Sequence, residues 1–124
     1  MSSWIRLAAA AAIVTAGCAQ GPKGPVGPDQ LVGRLNAALS VTSSSQRDDA
    51  LKSVAEDAAD AGAADIVKRA VGGITSSNNR DDAAYTCAIK LADRGDTQAA
   101  SDVAKMITSS SKQNDALAKI AKGR

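Results

Sequence analysis

The sequence predicts an all-α protein built from repeated pairs of helices. Of the 33 residues at positions 45–77, 12 recur identically 33 positions later. Within each copy the apolar residues are three and four positions apart, as on one face of an α-helix, and no segment alternates polar and apolar residues as a strand does. A repeat of this length with two helices is typical of an α-solenoid, in which successive helix pairs stack.

The first helix of each repeat is expected to begin in a polar segment. Ser45, Asn78 and Ser111 occupy equivalent positions and are residue types that favour the N-cap. Asp48 and Asp81 follow three residues later, where the helix dipole favours negative charge. The predicted buried stripes of the two copies are Leu51, Val54, Ala55 and Ala58, then Ala84, Cys87, Ala88 and Leu91.

Gly62 and Gly95 are expected to end the first helices, because glycine tolerates the left-handed conformation that follows many helices. The second helices then carry Ile66, Ala70 and Ile74 in one copy and Ala99, Val103 and Ile107 in the next. A half-repeat with Leu31, Leu35, Ala38 and Leu39 on one face precedes them and fits an unpaired second helix. This pattern predicts six helices, at about 29–40, 46–61, 64–75, 79–94, 97–108 and 112–122.

The repeat resembles a degenerate tetratricopeptide repeat over residues 45–124. Small residues stand at the family's close-packing positions, Ala55 and Gly62 in one copy and Ala88 and Gly95 in the next, and Ala100 fits the second helix. The family's large aromatic positions hold Leu51 or Ala84, Ala58 or Leu91, and Val71 or Ala104 instead, and its closing proline is missing. The resemblance implies a short right-handed α-solenoid of antiparallel helix pairs.

The same resemblance implies a groove on the first helices that binds a peptide or a partner helix. Its lining positions correspond to Asp49, Lys52, Glu56 and Asp60 in the first repeat, Asp82, Tyr85, Ile89 and Asp93 in the second, and Lys122 in the last helix. Tyr85 is the strongest candidate, because it is large, rigid and polar-tipped where the first repeat has Lys52. The alternative interpretation of this set is an ordinary solvated helix face.

The amino terminus resembles the signal peptide of a bacterial lipoprotein. Arg6 precedes an apolar stretch at 7–16, which is too short to span a bilayer, and Thr15-Ala16-Gly17-Cys18 resembles a lipobox. The resemblance implies that Cys18 is alkylated by diacylglycerol and becomes the first residue after cleavage, although Thr15 replaces the usual leucine. The alternative is an ordinary secretory signal that is cut near Ala19.

These features predict three parts: a signal peptide at 1–17, a lipidated cysteine and tether at 18–28, and a helical-repeat domain at 29–124. The tether contains three Gly-X-Y triplets, which are too few for a collagen helix and indicate an extended spacer. Membrane attachment would come from the acyl chains. Ala19 beside the cysteine favours the periplasmic face of the outer membrane if the host is Gram-negative.

Several function classes are disfavoured. The chain has no histidine, which excludes the usual catalytic triads and removes the commonest zinc ligand. The Asp48-Asp49 and Asp81-Asp82 pairs point about 100° apart on a helix and do not converge on one ligand. Removal of the signal leaves 14 basic and 13 acidic residues, which is a poor match for nucleic acid. We therefore expect no enzyme activity, metal, cofactor, nucleic acid or small-molecule substrate.

If Cys18 is lipidated, Cys87 has no cysteine partner in the chain, and its place on an apolar stripe predicts a small buried residue rather than a reactive thiol. The expected function is that of a lipid-anchored adaptor in the bacterial cell envelope with an unidentified protein or peptide partner. The alternative is a structural or regulatory envelope lipoprotein, such as a pilotin-like assembly factor or a phage-encoded surface exclusion factor.

Overall fold

The computed structural model describes residues 27–123, which form six α-helices and no strand. The predicted all-α class and the number of helices are confirmed. The helices are α1 (Pro28–Leu39), α2 (Ser44–Ala61), α3 (Ala64–Gly72), α4 (Ser77–Asp93), α5 (Thr97–Ala104) and α6 (Ser110–Lys122). The predicted signal peptide, Cys18 and most of the tether lie outside the described residues.

A buried aspartate in α2 holds the turn that leads into α4. The side chain of Asp48 is only 3% exposed, and its carboxylate accepts hydrogen bonds from the backbone N–H groups of Thr75 at 2.9 Å and Ser76 at 3.0 Å. The Thr75 hydroxyl also donates to it, at 3.0 Å and 3.2 Å from the two carboxylate oxygens. Burial raises the pKa of Asp48, but these bonds outweigh burial and the pKa is lowered.

The next repeat has the same arrangement 33 residues later. Asp81 in α4 accepts from the backbone N–H groups of Thr108 at 2.8 Å and Ser109 at 3.1 Å, and from the Thr108 hydroxyl. Burial again raises the pKa of Asp81, and the hydrogen bonds again outweigh it, so that the pKa is lowered. We call this recurring unit, an aspartate of one first helix bound to the Thr-Ser turn before the next, the Asp–turn latch.

The latch corrects the prediction for Asp48 and Asp81. They do not lie in the first turn of their own helices, which contains no acidic residue. Each lies one turn further along and binds backbone groups 27 and 28 residues away. The helix starts also differ from the prediction, and they do so at α2, whose preceding turn binds no aspartate of residues 27–123, as well as at α4 and α6. The N-caps are Ser43, Ser76 and Ser109, two positions before the predicted Ser45, Asn78 and Ser111.

The second helices are shorter than predicted. α3 ends at Gly72 rather than near 75, and α5 ends at Ala104 rather than near 108. Ile74 and Ile107 therefore lie in the loops, yet each is only 2% exposed. The predicted placement of these two isoleucines within the second helices is therefore wrong, although both belong to the core.

Gly62 and Gly95 end the first helices as predicted, with φ of 78° and 90°. At Gly62 the backbone N–H donates to Ala59 at 3.1 Å, and the N–H of Ala63 donates to the carbonyl of Ala58 at 2.8 Å. This pair of bonds is the Schellman motif, which requires a left-handed residue. The equivalent bonds close the end of α4 at Gly95.

Each helix packs against its next neighbour and its next but one along the chain. α2 contacts α1, α3 and α4, whereas α4 contacts α2, α3, α5 and α6. The core consists of alanine, leucine, isoleucine and valine residues and one cysteine, and alanine is the commonest of them. Because alanine side chains are short, the helix axes must approach closely to leave no voids.

Candidate partner-binding surface

Four of the predicted lining residues lie along one face of α4. Asp82, Tyr85, Ile89 and Asp93 are separated by three or four positions, which places them on one side of the helix. Tyr85 and Ile89 are half-buried, and the two aspartates are exposed. We call this row the α4 stripe. It borders two clefts.

The first cleft is polar and has a volume of about 620 Å³. It contains three of the predicted residues, Lys52 from α2 and Asp82 and Tyr85 from α4. The remaining lining residues, three of which belong to α6, are Thr86, Ser111, Lys112 and Asp115. The cleft therefore brings together side chains from all three first helices.

Contacts between α4 and α6 hold two members of the α4 stripe in place. The Tyr85 hydroxyl donates to Asp115 at 2.5 Å, and the Lys112 ammonium donates to Asp82 at 2.5 Å. The hydrogen bond to Asp115, together with burial and the negative charge of Asp115, raises the pKa of Tyr85. The tyrosine is consequently a fixed donor, and its ring is left as the half-exposed part that could contact a partner.

The second cleft is mainly apolar and has a volume of about 350 Å³. It lies where the carboxyl-terminal ends of α4 and α6 meet the start of α5. Ile89 and Asp93 of the α4 stripe line it, as does the predicted Lys122. The other lining residues are Ala92, Thr97, Lys119, Ile120 and Gly123. A mainly apolar cleft with two lysines in its lining is suited to bind an apolar side chain that lies next to a polar or acidic group.

The predicted residues of α2 are more dispersed. Asp49 is exposed and Glu56 is half-buried, and neither lines these two clefts. Asp60 accepts from Lys90 at 2.9 Å, and its carbonyl accepts from Arg94 at 2.8 Å. The bond to Asp60 raises the pKa of Lys90. This end of α2 is thus joined to α4 by the same kind of bond that joins α4 to α6.

The sequence pattern did not predict the lining residues of α5, nor those of α6 other than Lys122. Thr97, Lys119 and Ile120 line the apolar cleft, and Lys112 and Asp115 line the polar one. A usable signal does exist, because the three pairs of side chains that bond between adjacent first helices are each 30 residues apart. Searching for complementary side chains at this separation would have pointed to α6.

Cys87 and one aspartate of each Asp-Asp pair are buried in the fold. Cys87 is a free cysteine with 0% exposure, and burial raises its pKa to about 12, so that the thiolate is strongly disfavoured. In the two aspartate pairs, Asp48 and Asp81 are buried in latches while Asp49 and Asp82 are exposed. Within residues 27–123, no three cysteine, aspartate or glutamate side chains are placed to share a metal ion.

Comparisons of this chain with protein-family models, with curated proteins and with solved structures found no match. Over the part of the chain that the structure describes, no helix is both long enough and apolar enough to cross a membrane.

Proposed function

We propose that the protein is a lipid-anchored, non-enzymatic protein-interaction module of the bacterial cell envelope. Its helices form a short right-handed α-solenoid of antiparallel pairs, Cys18 carries the lipid, and the tether holds the domain away from the membrane. The lipobox-like sequence before Cys18 supports the anchor. The 33-residue period and the contacts of each helix with its next two neighbours support the solenoid.

The observation that carries the proposed binding role is the α4 stripe with a cleft at each end. Tyr85 lines the polar cleft and Ile89 the apolar one, four residues apart on the same helix. Four residues correspond to roughly 6 Å along an α-helix, which is also about the span of two residues in an extended chain. The surface therefore suits a peptide or helix with an apolar side chain and a hydrogen-bonding side chain at that separation.

Ile89 is the proposed apolar anchor. It is half-buried and lines the apolar cleft together with Ile120, which is itself 6% exposed. An apolar side chain of a partner would be enclosed there by α4, α5 and α6. Its polar neighbour would lie beside the Tyr85 ring, whose position is fixed by Asp115.

A peptide-display selection on the immobilised protein tests this function. We expect enriched peptides to share an apolar residue, and Ile89→Glu to weaken their binding by roughly 30-fold, as for the loss of a hot spot of about 2 kcal/mol. Arg69→Ala is the matched control, because Arg69 is an exposed residue of α3 that lines neither cleft. Selection of no peptide, or equal binding by the Ile89 and Arg69 variants, would contradict the proposal.

A further inference from the structure

In the described part of the chain the repeat pattern is incomplete at both ends. α1 aligns with α3 and α5, the second helices, but no first helix precedes it in residues 27–123. α6 aligns with α2 and α4, the first helices, but no second helix follows it there. One end thus has a second helix without its partner, and the other end has a first helix without its partner.

The surface at the α1 end is open where the later repeats are closed. Ala37 is exposed, and Val41 and Ala50 are half-buried. Their equivalents in the next two repeats are all buried, namely Ala70, Ile74 and Ala83, then Val103, Ile107 and Ala116. All three line an open cleft of about 310 Å³ between α1 and α2. We call these three residues, with the turn at Thr42 and Ser43, the head surface.

The turn in the head surface is a third copy of the Asp–turn latch without its aspartate. Thr42 and Ser43 precede α2 just as Thr75 and Ser76 precede α4. Ser76 and Ser109 each accept a side-chain capping bond, whereas the N-cap Ser43 accepts none. Among residues 27–123, no carboxylate binds this turn.

The surface at the α6 end is also more open than the equivalent surfaces of the preceding repeats. Asn114, at the position of the latch aspartates, is exposed, as is Ala121, and Leu117 is half-buried. Their equivalents in the preceding repeats are buried, namely Asp48, Leu51 and Ala55, then Asp81, Ala84 and Ala88. We call Asn114, Leu117 and Ala121 the tail surface. It carries a latch residue without a turn.

We propose that the tail surface of one molecule binds the head surface of a second copy of the same chain, so that the 33-residue repeat continues across the contact. α1 of the second copy packs on α6 as the second helices pack on the first helices of the preceding repeats, and its α2 takes the position of the next first helix. Asn114 then meets the second copy's turn at Thr42 and Ser43. Its amide oxygen accepts one backbone N–H, where a carboxylate would accept two.

The chain's own amino terminus is a poor occupant of the head surface. By the repeat period, a covering first helix would span about 11–28 and would need a carboxylate at position 15, where the chain has Thr15. Pro22 and Pro25 lie inside that span, and proline disrupts a helix interior by about 3 kcal/mol or more. A second copy, by contrast, supplies an in-register first helix with Asn114 at the latch position.

Because the two surfaces differ, the contact is heterologous and does not close in a dimer. The unmodified protein should therefore form open head-to-tail chains whose length grows with concentration. The inference rests on the repeat arrangement but not on partner binding, since the head and tail residues lie outside the two clefts of the α4 stripe.

Sedimentation velocity on two single variants tests the contact. Ala37→Glu places a charge on the head surface and Ala121→Glu on the tail surface, and both alanines are exposed in the monomer. We expect the unmodified protein to form chains and each variant alone to be monomeric. An equimolar mixture should form a dimer and nothing larger, because each partner retains one intact surface. Circular dichroism and the binding of selected peptides should be unchanged in both variants.

A gain-of-function variant provides the second arm. Asn114→Asp restores the carboxylate of the latch, and we expect association roughly tenfold tighter, as for one additional charged hydrogen bond. Asn78→Asp is the matched control, because it adds the same charge at an exposed residue of α4.

Three results would overturn the inference. One is a mixture of the head and tail variants that stays monomeric, and another is an Asn114→Asp protein that associates no more tightly than the Asn78 control. The third is an unmodified protein that is monomeric while a variant lacking residues 19–26 associates, since that would show the chain's own segment on the head surface.

Discussion

The Asp–turn latch is expected to be a main source of stability, and Asp48→Asn and Asp81→Asn test this directly. Each carboxylate accepts two backbone N–H groups and one hydroxyl. An asparagine keeps one acceptor oxygen, but its NH₂ group must then face a backbone N–H, so that at least one hydrogen bond is replaced by two opposed donors.

The expected cost follows from the type of bond. A hydrogen bond to a charged group contributes about 1.5–3 kcal/mol, and loss of one in a partly buried site should lower the free energy of unfolding by about that amount. For a domain of this size, about 2 kcal/mol corresponds to a fall in the melting temperature of roughly 8–16 °C. Asp49→Asn is the matched control, because Asp49 is the exposed neighbour and should change stability by no more than about 0.5 kcal/mol.

The same carboxylates should make stability depend on pH. Their folded pKa values are lowered relative to the ordinary value of 3.8. Their contribution is therefore fully present above about pH 4 and is lost as the pH falls through the folded pKa, at up to about 1.4 kcal/mol per pH unit for each carboxylate. Asp48→Asn and Asp81→Asn should each reduce this acid sensitivity.

Urea denaturation between pH 2 and 7, followed by circular dichroism, measures both effects. The control variant should retain the pH profile of the unmodified protein apart from a small offset. If Asp48→Asn were as stable as Asp49→Asn at neutral pH, or if its stability fell with acid as steeply as that of the unmodified protein, the latch would not have the energetic role assigned to it.

Three further predictions concern the anchor, the helix ends and the α4 stripe. Cys18→Ser should abolish acylation and release the domain from the membrane. Intact-mass analysis measures the acylation, and an unmodified amino terminus at or beyond Ala19 in the unsubstituted protein would contradict the lipoprotein proposal. In thermal melts, Gly95→Ala and Gly62→Ala should each cost about 1–2 kcal/mol, because both place an alanine in the left-handed conformation. The methyl at position 62 would lie 2.8 Å from the end of the exposed Arg94 side chain, which can move aside; unchanged melting temperatures for both variants would contradict the left-handed helix ends. Tyr85→Phe should lower the free energy of unfolding by about 0.5–1.5 kcal/mol through the lost hydrogen bond, but it should retain the binding of selected peptides. Tyr85→Ala should weaken that binding by about 1–2 kcal/mol. Similar losses of binding in both variants would mean that the hydroxyl, rather than the ring, contacts the peptide.

The number of helices and the core positions could be predicted because the same pattern of apolar residues and glycines occurs in both copies of the repeat. Leu51 and Ala84 differ in size, yet each occupies the same point of an apolar stripe, and both are fully buried. Gly62 and Gly95 were likewise identified as helix ends from their recurrence alone. The spacing of apolar residues predicts a helical face well, because the residues that share this face are only three or four positions apart.

The latched turns could not be predicted, because each depends on a long-range bond. The helix start itself does not depend on that bond, since α2 begins after the equivalent Ser43 without it. Ser76 caps α4 within a turn that is held by Asp48, 28 residues earlier. Local preferences favoured Asn78, which is also a good N-cap residue type. The recurrence of Asp48 and Thr75 as Asp81 and Thr108, each pair 27 residues apart, did carry the information, but in the form of a pairing rather than a local pattern.

The candidate surface could be predicted for its α4 part and for Lys52 and Lys122, which also line the clefts. Tyr85 and Ile89 follow from the resemblance to tetratricopeptide repeats, since one helix face is set by spacing alone. Lys112 and Asp115 depend on how far α6 is displaced along α4, which no local pattern reports. Asp49 and Glu56 of α2 line neither of the two clefts; Asp49 is exposed and Glu56 is half-buried.

Photo-crosslinking in living cells tests the central claim, that the α4 stripe of a membrane-attached module binds a protein partner. A photoreactive amino acid is introduced in place of Ile89, or in place of Arg69 as the control, and the crosslinked products of the membrane fraction are identified by mass spectrometry. We expect a distinct crosslinked protein for the position of Ile89 that is missing or much weaker for that of Arg69. Equal products from both positions, or none from the position of Ile89, would contradict it.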